Sequence, residues 1–437
     1  MPASNIFPRD CRAVYPQAVR GDGVYIIDGG GRQYLDACGG AAVSCLGHSN
    51  RAVIQAAQRQ LEEMAFAHSA FFTSIAAEQL AGDIIKLAPR GFARAYFVSG
   101  GSEAMEAAIK LARQYFVEKG EMRRANFIAR RQSYHGNTLG ALSIGGNAAR
   151  RKIYRPLLCK RMHFISPCHY WREGKKGESE GEYAKRAAGE LEEKIVLLGA
   201  ENVAAFVAET VVGATLGAVC PSPGYFRRVR DICDRYGILM ILDEVMCGMG
   251  RTGTLFACEQ EGVEPDIICL AKGLGAGVMP IGAALCTGAI YDAISEGGGV
   301  FRHGHTYSGH PTSCAAGVAA LGEIIKLLPK VQSSNLLTQL QEAFGHHPHI
   351  ADIRGRGLFI GMEFTRRAKT PFNAGDKIHL AVQRAAFAEG LMVYALGGCA
   401  DGKNGDHILI APPFIFTPSN TDELITKLTR TLKKVFG

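Results

Sequence analysis

Two residues of complementary chemistry close two apolar runs. Ile238-Leu239-Met240-Ile241-Leu242 ends in Asp243, and Asp266-Ile267-Ile268-Cys269-Leu270-Ala271 leads into Lys272, which opens the glycine-rich stretch Gly273-Leu274-Gly275-Ala276-Gly277. Apolar runs of this kind read as neighbouring buried strands, so their C-terminal ends present a carboxylate and an amine. A lysine amine forms an imine with an aldehyde cofactor, and a carboxylate beside a pyridine nitrogen keeps that nitrogen protonated. The pair therefore suits a pyridoxal phosphate site. Taken alone, Asp243 and Lys272 are also what a strand-end carboxylate and a solvated loop lysine look like, so other motifs must decide.

The first of these is Ser99-Gly100-Gly101-Ser102-Glu103, between an apolar run and a helical pattern. Small residues at a helix N-terminus let backbone N–H groups approach an anion, and the helix dipole favours negative charge. The stretch reads as a phosphate cradle, or else as an ordinary helix start capped by Ser102. Tyr134-His135-Gly136 places an aromatic ring after another strand candidate, where it can stack on a flat heteroaromatic ring. By itself the tripeptide is equally a packing motif. Gly248-Met249-Gly250-Arg251-Thr252-Gly253 matches G-x-G-x-x-G, but no helix pattern opens from it and no G-x-x-x-x-G-K-[ST] exists, so dinucleotide binding and nucleotide hydrolysis lack support.

These motifs sit on a βα alternation that spans about residues 66–320. Strand candidates are Ala95–Val98, Asn126–Ala129, Val203–Ala208, Ile238–Leu242, Ile267–Leu270 and Ile281–Cys286, most of them continuous apolar runs. In Ser102–Phe116 the residues Met105, Ala108, Ile109, Ala112 and Phe116 make one helical stripe of core type. The charged stretch Trp171–Glu182 reads as an exposed insertion or a helix approach. Residues 1–65 hold strand-like pieces at Val24–Ile27 and Gln33–Asp36 around Asp28-Gly29-Gly30-Gly31, then a helix from Arg51. Residues 321–437 carry helical segments at Gly322–Leu328 and Leu336–Phe344 and a strand in Gly357–Phe364, a smaller α+β unit that the N-terminal segment completes.

Composition narrows the class. A chain of 437 residues with 47% hydrophobic and 21% charged residues is of ordinary globular type. No apolar stretch reaches the roughly 18–20 residues of a membrane span, and Met1 to Asp10 carry no signal-type apolar block, so a cytoplasmic location is expected. The 13 cysteines are scattered without a C-x-x-C pair or a zinc-type spacing, so they read as reduced and structural, and no metal is expected. The net charge of +8 gathers partly in Arg123-Arg124, Arg130-Arg131 and Arg150-Arg151-Lys152. Without interleaved aromatic residues these runs read as a solvated face, not a nucleic-acid surface, and attraction of anionic substrates stays open.

Together the motifs resemble those of the class III pyridoxal phosphate aminotransferases. The ordered set is Ser99-Gly100-Gly101-Ser102-Glu103-Ala104, Tyr134-His135-Gly136, Asp243-Glu244-Val245 with Gly250-Arg251-Thr252-Gly253, Ala271-Lys272-Gly273-Leu274, and His303-Gly304-His305-Thr306-Tyr307-Ser308-Gly309-His310-Pro311. Leu46-Gly47-His48 and Arg354-Gly355-Arg356-Gly357 extend the resemblance over nearly the whole chain. It implies an α/β enzyme of fold type I, with a large domain built on a mostly parallel seven-stranded sheet and a smaller α+β domain. It also implies a homodimer or homotetramer with shared active sites. Lys272 would bind the cofactor's aldehyde and Asp243 its pyridine nitrogen. Val245 would pack under the ring, Tyr134 would cover the other face and His135 would stand beside it. Gly100, Gly101 and Ser102 would hold the phosphate, joined by Thr306 from the partner chain. Glu209, in Ala208-Glu209-Thr210-Val211-Val212-Gly213, would lie near cofactor and substrate; the family more often has proline after it.

The resemblance implies ping-pong transfer of an amino group from an amine or ω-amino acid to a 2-oxo acid. Decarboxylases, racemases and aminomutases share the Lys and Asp and form the alternative; a non-catalytic cofactor-binding regulator would need an added DNA-binding domain, for which no segment is evident. Related ω-amine enzymes often grip the acceptor carboxylate with an arginine on a late loop. The comparable loop here, 397–406, has no arginine, and its Lys403 reads as a surface residue or as a substitute point charge. Gly39-Gly40-Ala41-Ala42-Val43 has small residues where some relatives place a tryptophan, which suggests a roomier pocket. A terminal or bulky amine donor and pyruvate as acceptor are the resulting expectation.

Overall fold

A computed structural model describes residues 5–437; residues 1–4 of the expected N-terminal segment lie outside the described residues. The first strands, β1 (Ala18–Asp22), β2 (Tyr25–Asp28) and β3 (Gln33–Asp36), form an antiparallel meander. The central sheet holds β4 (Phe92–Val98), β5 (Asn126–Arg130), β6 (Met162–Ile165), β7 (Val203–Glu209), β8 (Leu239–Asp243), β9 (Ile267–Leu270) and β10 (Gly282–Thr287). Its order is β4-β10-β9-β8-β7-β5-β6, and only β10 runs antiparallel to its neighbours. A third sheet combines β11 (Ile350–Arg356) and β12 (Phe359–Phe364) with β14 (Tyr394–Gly397) and β15 (Asp406–Ile410), while β13 (Leu391–Met392) returns to pair parallel with β3.

Side-chain alternation along the central strands divides the core into two layers. Phe127, Ala129, Val207, Ile241 and Cys269 face the helix Gly101–Glu118, against which Met105, Ala108, Ala112 and Phe116 are buried as the stripe predicts. Ile128, Phe206, Met240, Leu242 and Ile268 face the other side, where the helices Glu180–Leu198 and Tyr225–Tyr236 bring Leu191, Tyr225 and Val229. Each fully buried Val, Leu or Ile contributes about 1.5–3 kcal/mol relative to exposure. Substitutions in this double layer therefore threaten the sheet whose strand ends carry the chemistry.

The apolar runs locate the strands, and their ends differ for identifiable reasons. β5, β7 and β8 extend one residue further to Arg130, Glu209 and Asp243, polar side chains that are nonetheless buried. The exposed β1 and the half-buried edge strand β6, with His163 inside it, carry no continuous apolar run. The helix Pro311–Gln332 is far longer than the segment Gly322–Leu328 and runs through residue 320. Its first turns are small residues, Thr312, Ser313 and Cys314, buried among other elements and lacking an amphipathic stripe. Within Trp171–Glu182, exposed residues lead to a capping box of Ser179 and Glu182 that starts the helix Glu180–Leu198.

The basic runs are a solvated face at Arg123, Arg131, Arg150 and Lys152, but two of their members depart from that expectation. Arg130 is buried, its guanidinium donating to the Glu209 carbonyl and standing 5.6 Å from the Phe226 ring centre. Arg124 is mostly buried too, donating to the carbonyls of Ala200, Val203 and Tyr236. Guanidinium groups satisfy several carbonyls at once, so adjacent arginines need not form a solvated face. All 13 cysteines are free, and Cys233, Cys269 and Cys286 are buried in apolar surroundings. Among the described residues no helix is long and apolar enough to cross a membrane.

Candidate active site

The parallel register of the central sheet brings three charged groups to one edge. Glu209 at the end of β7 lies opposite Asp243 at the end of β8, and Asp243 lies opposite Cys269, three residues before Lys272. In open α/β sheets, crevices outside the carboxyl ends of the strands are the usual ligand sites. Here a cavity of about 280 Å³ opens there, and nine of the ten residues expected from the sequence line it: Gly100, Gly101, Ser102, Tyr134, His135, Glu209, Asp243, Val245 and Lys272.

Each charged group is fixed by specific contacts. Asp243 Oδ1 accepts from the Val245 N–H at 3.0 Å, and its Oδ2 lies 2.8 Å from His135 Nδ1. Glu209 accepts through Oε1 from the Tyr134 N–H at 3.0 Å and through Oε2 from the Gly213 N–H at 2.8 Å. Burial, with the Asp243 charge in support, raises the Glu209 carboxyl above its usual range against the pull of His135. The next residue, Glu244, is bound away from the cavity by Thr210 Oγ1 and the N–H groups of Ala257 and Cys258, and holds the turn after β8.

Lys272 starts a short 3₁₀ turn directly after β9, with a left-handed φ of 48°. Such a backbone costs a non-glycine residue on the order of 1–3 kcal/mol and persists where surrounding structure enforces it. Burial lowers its amine to about 8, although the charges of Asp243 and Glu209 oppose the shift. An amine so tuned exchanges protons near neutral pH.

The glycine-rich segment forms a cradle. The helix Gly101–Glu118 is capped by Gly100, which offers no side-chain hydrogen bond, so its first N–H groups are free to meet a ligand. Ser102 does not cap it; its Oγ instead accepts from the Asn137 N–H at 3.0 Å. A Cβ at Gly101 would come within 2.8 Å of Val245 Cγ1, so the helix start and Val245, two residues after the β8 carboxylate, need glycine to approach. His135 Nε2 is buried with no partner, a polar atom left facing the site. An anion cradle, a buried carboxylate, an aromatic ring and an amine of lowered pKa thus border one cavity, and this donor set fits pyridoxal phosphate.

Two expected residues stand elsewhere. Thr306 lines a separate outer cavity together with Tyr96, His303 and Ser308. Lys403 is exposed and borders a basic cavity with Arg151, Lys152 and Arg155. Val211, Met246, Cys247 and Met279 line the site without having been singled out from the sequence. Of these, Met246 and Cys247 follow the Asp-Glu-Val motif directly, and that adjacency is the one signal that pointed to them. Gly248–Gly253 is a turn from which no α-helix opens, and its Arg251 is buried and donates to the Leu358 and Pro412 carbonyls.

This sheet, with a lysine and a carboxylate at its strand ends, defines the fold type I class of pyridoxal phosphate enzymes. The family description Aminotransferase class-III matches residues 6–432, and the chain belongs to that family. It is 43% identical over 423 residues to an uncharacterized aminotransferase of Schizosaccharomyces pombe, covering 95% of this chain and 92% of that one. It is 34% identical to a putrescine–pyruvate aminotransferase of Pseudomonas aeruginosa, covering 93% and 88%. Among solved structures, an (S)-enantioselective omega-transaminase from Thermomicrobium roseum superposes with a TM-score of 0.90 at 34% identity, covering 97% and 93%. The PMP-bound aminotransferase from Vibrio fluvialis gives 0.89 at 31% identity, with the same coverage. The chain is thus a pyridoxal-phosphate-dependent aminotransferase.

Proposed function

We propose that the enzyme moves an amino group from a terminal amine or ω-amino acid to a 2-oxo acid, with pyruvate as acceptor, by a ping-pong cycle. The observation that carries this reading is the convergence of Lys272, Asp243 and the Gly100–Ser102 cradle on one cavity. The names of the putrescine–pyruvate and gamma-aminobutyrate transaminases among its relatives point to terminal amines as donors. The omega-transaminases among its structural neighbours support the same class.

When bound, the cofactor supplies an aldehyde that captures amines and a ring that withdraws electrons from the carbon they carry. Gly100, Gly101 and Ser102 would hold its phosphate, Asp243 would pair with its ring nitrogen, and Val245 and Tyr134 would pack against its ring. Lys272 Nζ takes the proton from the donor's amine-bearing carbon and later returns one, a role its pKa of about 8 suits. His135 orients Asp243, and Glu209 anchors the backbone that presents Tyr134.

We also assign the small-residue segment ending in Val43, which borders the cavity, to a roomy donor pocket. Thr306 reaches the phosphate of a partner subunit's site in a homodimer or homotetramer. Residues 66–320 form the large domain, and 321–437 with the N-terminal segment form the small one. The free cysteines suit the reducing cytoplasm.

The test is a panel of amines against pyruvate and 2-oxoglutarate, following product and the cofactor's absorbance. Donor alone should change the absorbance, and pyruvate should restore it. Absence of that change with every amine sinks transamination, and strict use of 2-oxoglutarate sinks the choice of acceptor.

A further inference from the structure

Gripping an acceptor's carboxylate in the manner of related enzymes requires a guanidinium, which the late loop lacks. The basic run Arg150-Arg151-Lys152 stands beside the site, and its members point to different places. Arg151 and Lys152 border the cavity shared with Lys403. Arg150 instead places its guanidinium carbon 4.6 Å from the centre of the Tyr134 ring, which also lines the site cavity.

This position is built. Gly146 N donates to Ser133 Oγ at 3.0 Å, and Gln132 N donates to the Gly146 carbonyl at 3.1 Å, tying the turn before Arg150 to the residues before Tyr134. A Cβ at Gly146 would fall 2.2 Å from the Arg130 carbonyl, so this close approach needs glycine. Asn147 then caps the short turn Ala148–Arg151 by accepting from the Arg150 N–H at 3.1 Å.

Among the described residues Arg150 makes no ion pair, and its guanidinium donates no hydrogen bond to protein. Its N–H donors are thus uncommitted within the protein, and guanidinium donors bind a carboxylate in pairs. The carboxylates at the site, Asp243 and Glu209, are already bonded to His135 and to backbone N–H groups. Of the other guanidinium groups near the strand ends, Arg130 and Arg251 are buried and bonded to main-chain carbonyls, and the exposed Arg9 acts on the Tyr134 hydroxyl more weakly than Arg150 does.

We propose that Arg150, held against Tyr134, binds the carboxylate of the 2-oxo acid acceptor and so sets acceptor specificity. The proposal rests on the transamination reading above. It assigns the role to an exposed residue following the Tyr-His-Gly motif and in contact with a ring of the site, in preference to Lys403, which is also exposed but borders a separate cavity with Arg151 and Lys152.

The test compares the unsubstituted holoenzyme with R150Q, R150K and K403A, using pyruvate and an aliphatic aldehyde that lacks a carboxylate as acceptors. In R150Q the KM for pyruvate should rise about 10- to 100-fold, the range of a lost charge-assisted pair, with a smaller change in kcat. The KM for the aldehyde should move less than about twofold, R150K should recover part of the loss, and K403A should match the unsubstituted enzyme. Equal rises for both acceptors, an unchanged KM for pyruvate in R150Q, or a comparable rise in K403A would overturn the assignment. A carboxyl-free amine donor alone should still shift the cofactor's absorbance in R150Q. Loss of that shift in the variant alone overturns this assignment, whereas its absence in the unsubstituted protein overturns transamination itself.

Discussion

His135 Nδ1 stands 2.8 Å from Asp243 Oδ2, and both side chains are almost wholly withdrawn from solvent. An ionised carboxylate only accepts hydrogen bonds, so the imidazole nitrogen facing it is the donor. The histidine therefore sets the direction in which the carboxylate presents its remaining lone pairs. Replacing Asp243 by Asn keeps the shape and removes the charge, and kcat should fall by at least about 100-fold. His135→Phe removes the orienting bond and the Nε2 atom while leaving the Asp243 charge in place, and should cost about 10- to 100-fold, in line with outer partners of other sites. Steady-state rates with one fixed donor and acceptor pair give both values, and a larger loss in His135→Phe than in Asp243→Asn contradicts this order.

Lys272 offers a pH signature. Its amine is lowered from 10.5 to about 8, so the neutral, nucleophilic form becomes dominant as pH rises through about 8 instead of through the ordinary lysine range. In cofactor-depleted protein, the rate of condensation with added pyridoxal phosphate, trapped by borohydride and mapped to the peptide, should climb up to about pH 8 and then level off. Continued increase to pH 10 contradicts the lowered value. Lys272→Ala should abolish both the label and turnover.

The close approach of Gly101 to Val245 predicts a suppressible defect. Gly101→Ala pushes a methyl to 2.8 Å from Val245 Cγ1, and overpacking of this kind costs about 1–3 kcal/mol. Cofactor affinity, measured by titration of the depleted enzyme, should fall about 10-fold or more. Adding Val245→Ala should restore part of it by returning the space. A double variant no better than Gly101→Ala alone means that the glycine serves something other than this contact.

Stability should depend on pH through His407, which is buried on β15 and whose ring packs against Gly217. Burial, with help from the Arg354 charge, lowers its imidazole to about 3. Between pH 6.5 and about 3 the unfolded chain binds a proton that the folded chain refuses, so stability falls as pH drops through that window, by up to about 1.4 kcal/mol per pH unit for this group. His407→Leu should flatten the decline in the urea midpoint between pH 7 and 4.5. His169, also lowered by burial, would keep some slope in place. An unchanged slope contradicts the assignment.

How far the sequence carries this picture depends on what each element had to announce. β7, β8 and β9 are buried on both faces, so they are continuous apolar runs and stand out, β7 and β8 with a terminal carboxylate and β9 with Lys272 just beyond it. β6, at the sheet edge, mixes Met162 and His163 and has no such run. Lys272, Asp243 and the Gly100–Ser102 segment are legible because local motifs surround them, and the sheet register then makes them neighbours. The contact between His135, which follows β5, and Asp243, which ends β8, reaches across the intervening β7 and has no local signal. Arg130 and Arg150 look alike as paired arginines, yet one is buried beneath Glu209 and the other lies over an aromatic ring. Tertiary placement alone separates them.

The parallel pairing of β3 with β13 joins Leu35 to Leu391 and Asp36 to Met392. On the ribosome, β3 emerges long before its mate, so the early meander must wait with one border unsatisfied while the central sheet forms. Such a border is an open invitation to foreign strands. Vectorial synthesis therefore makes this stretch of the newborn enzyme a place where a chaperone has something to protect.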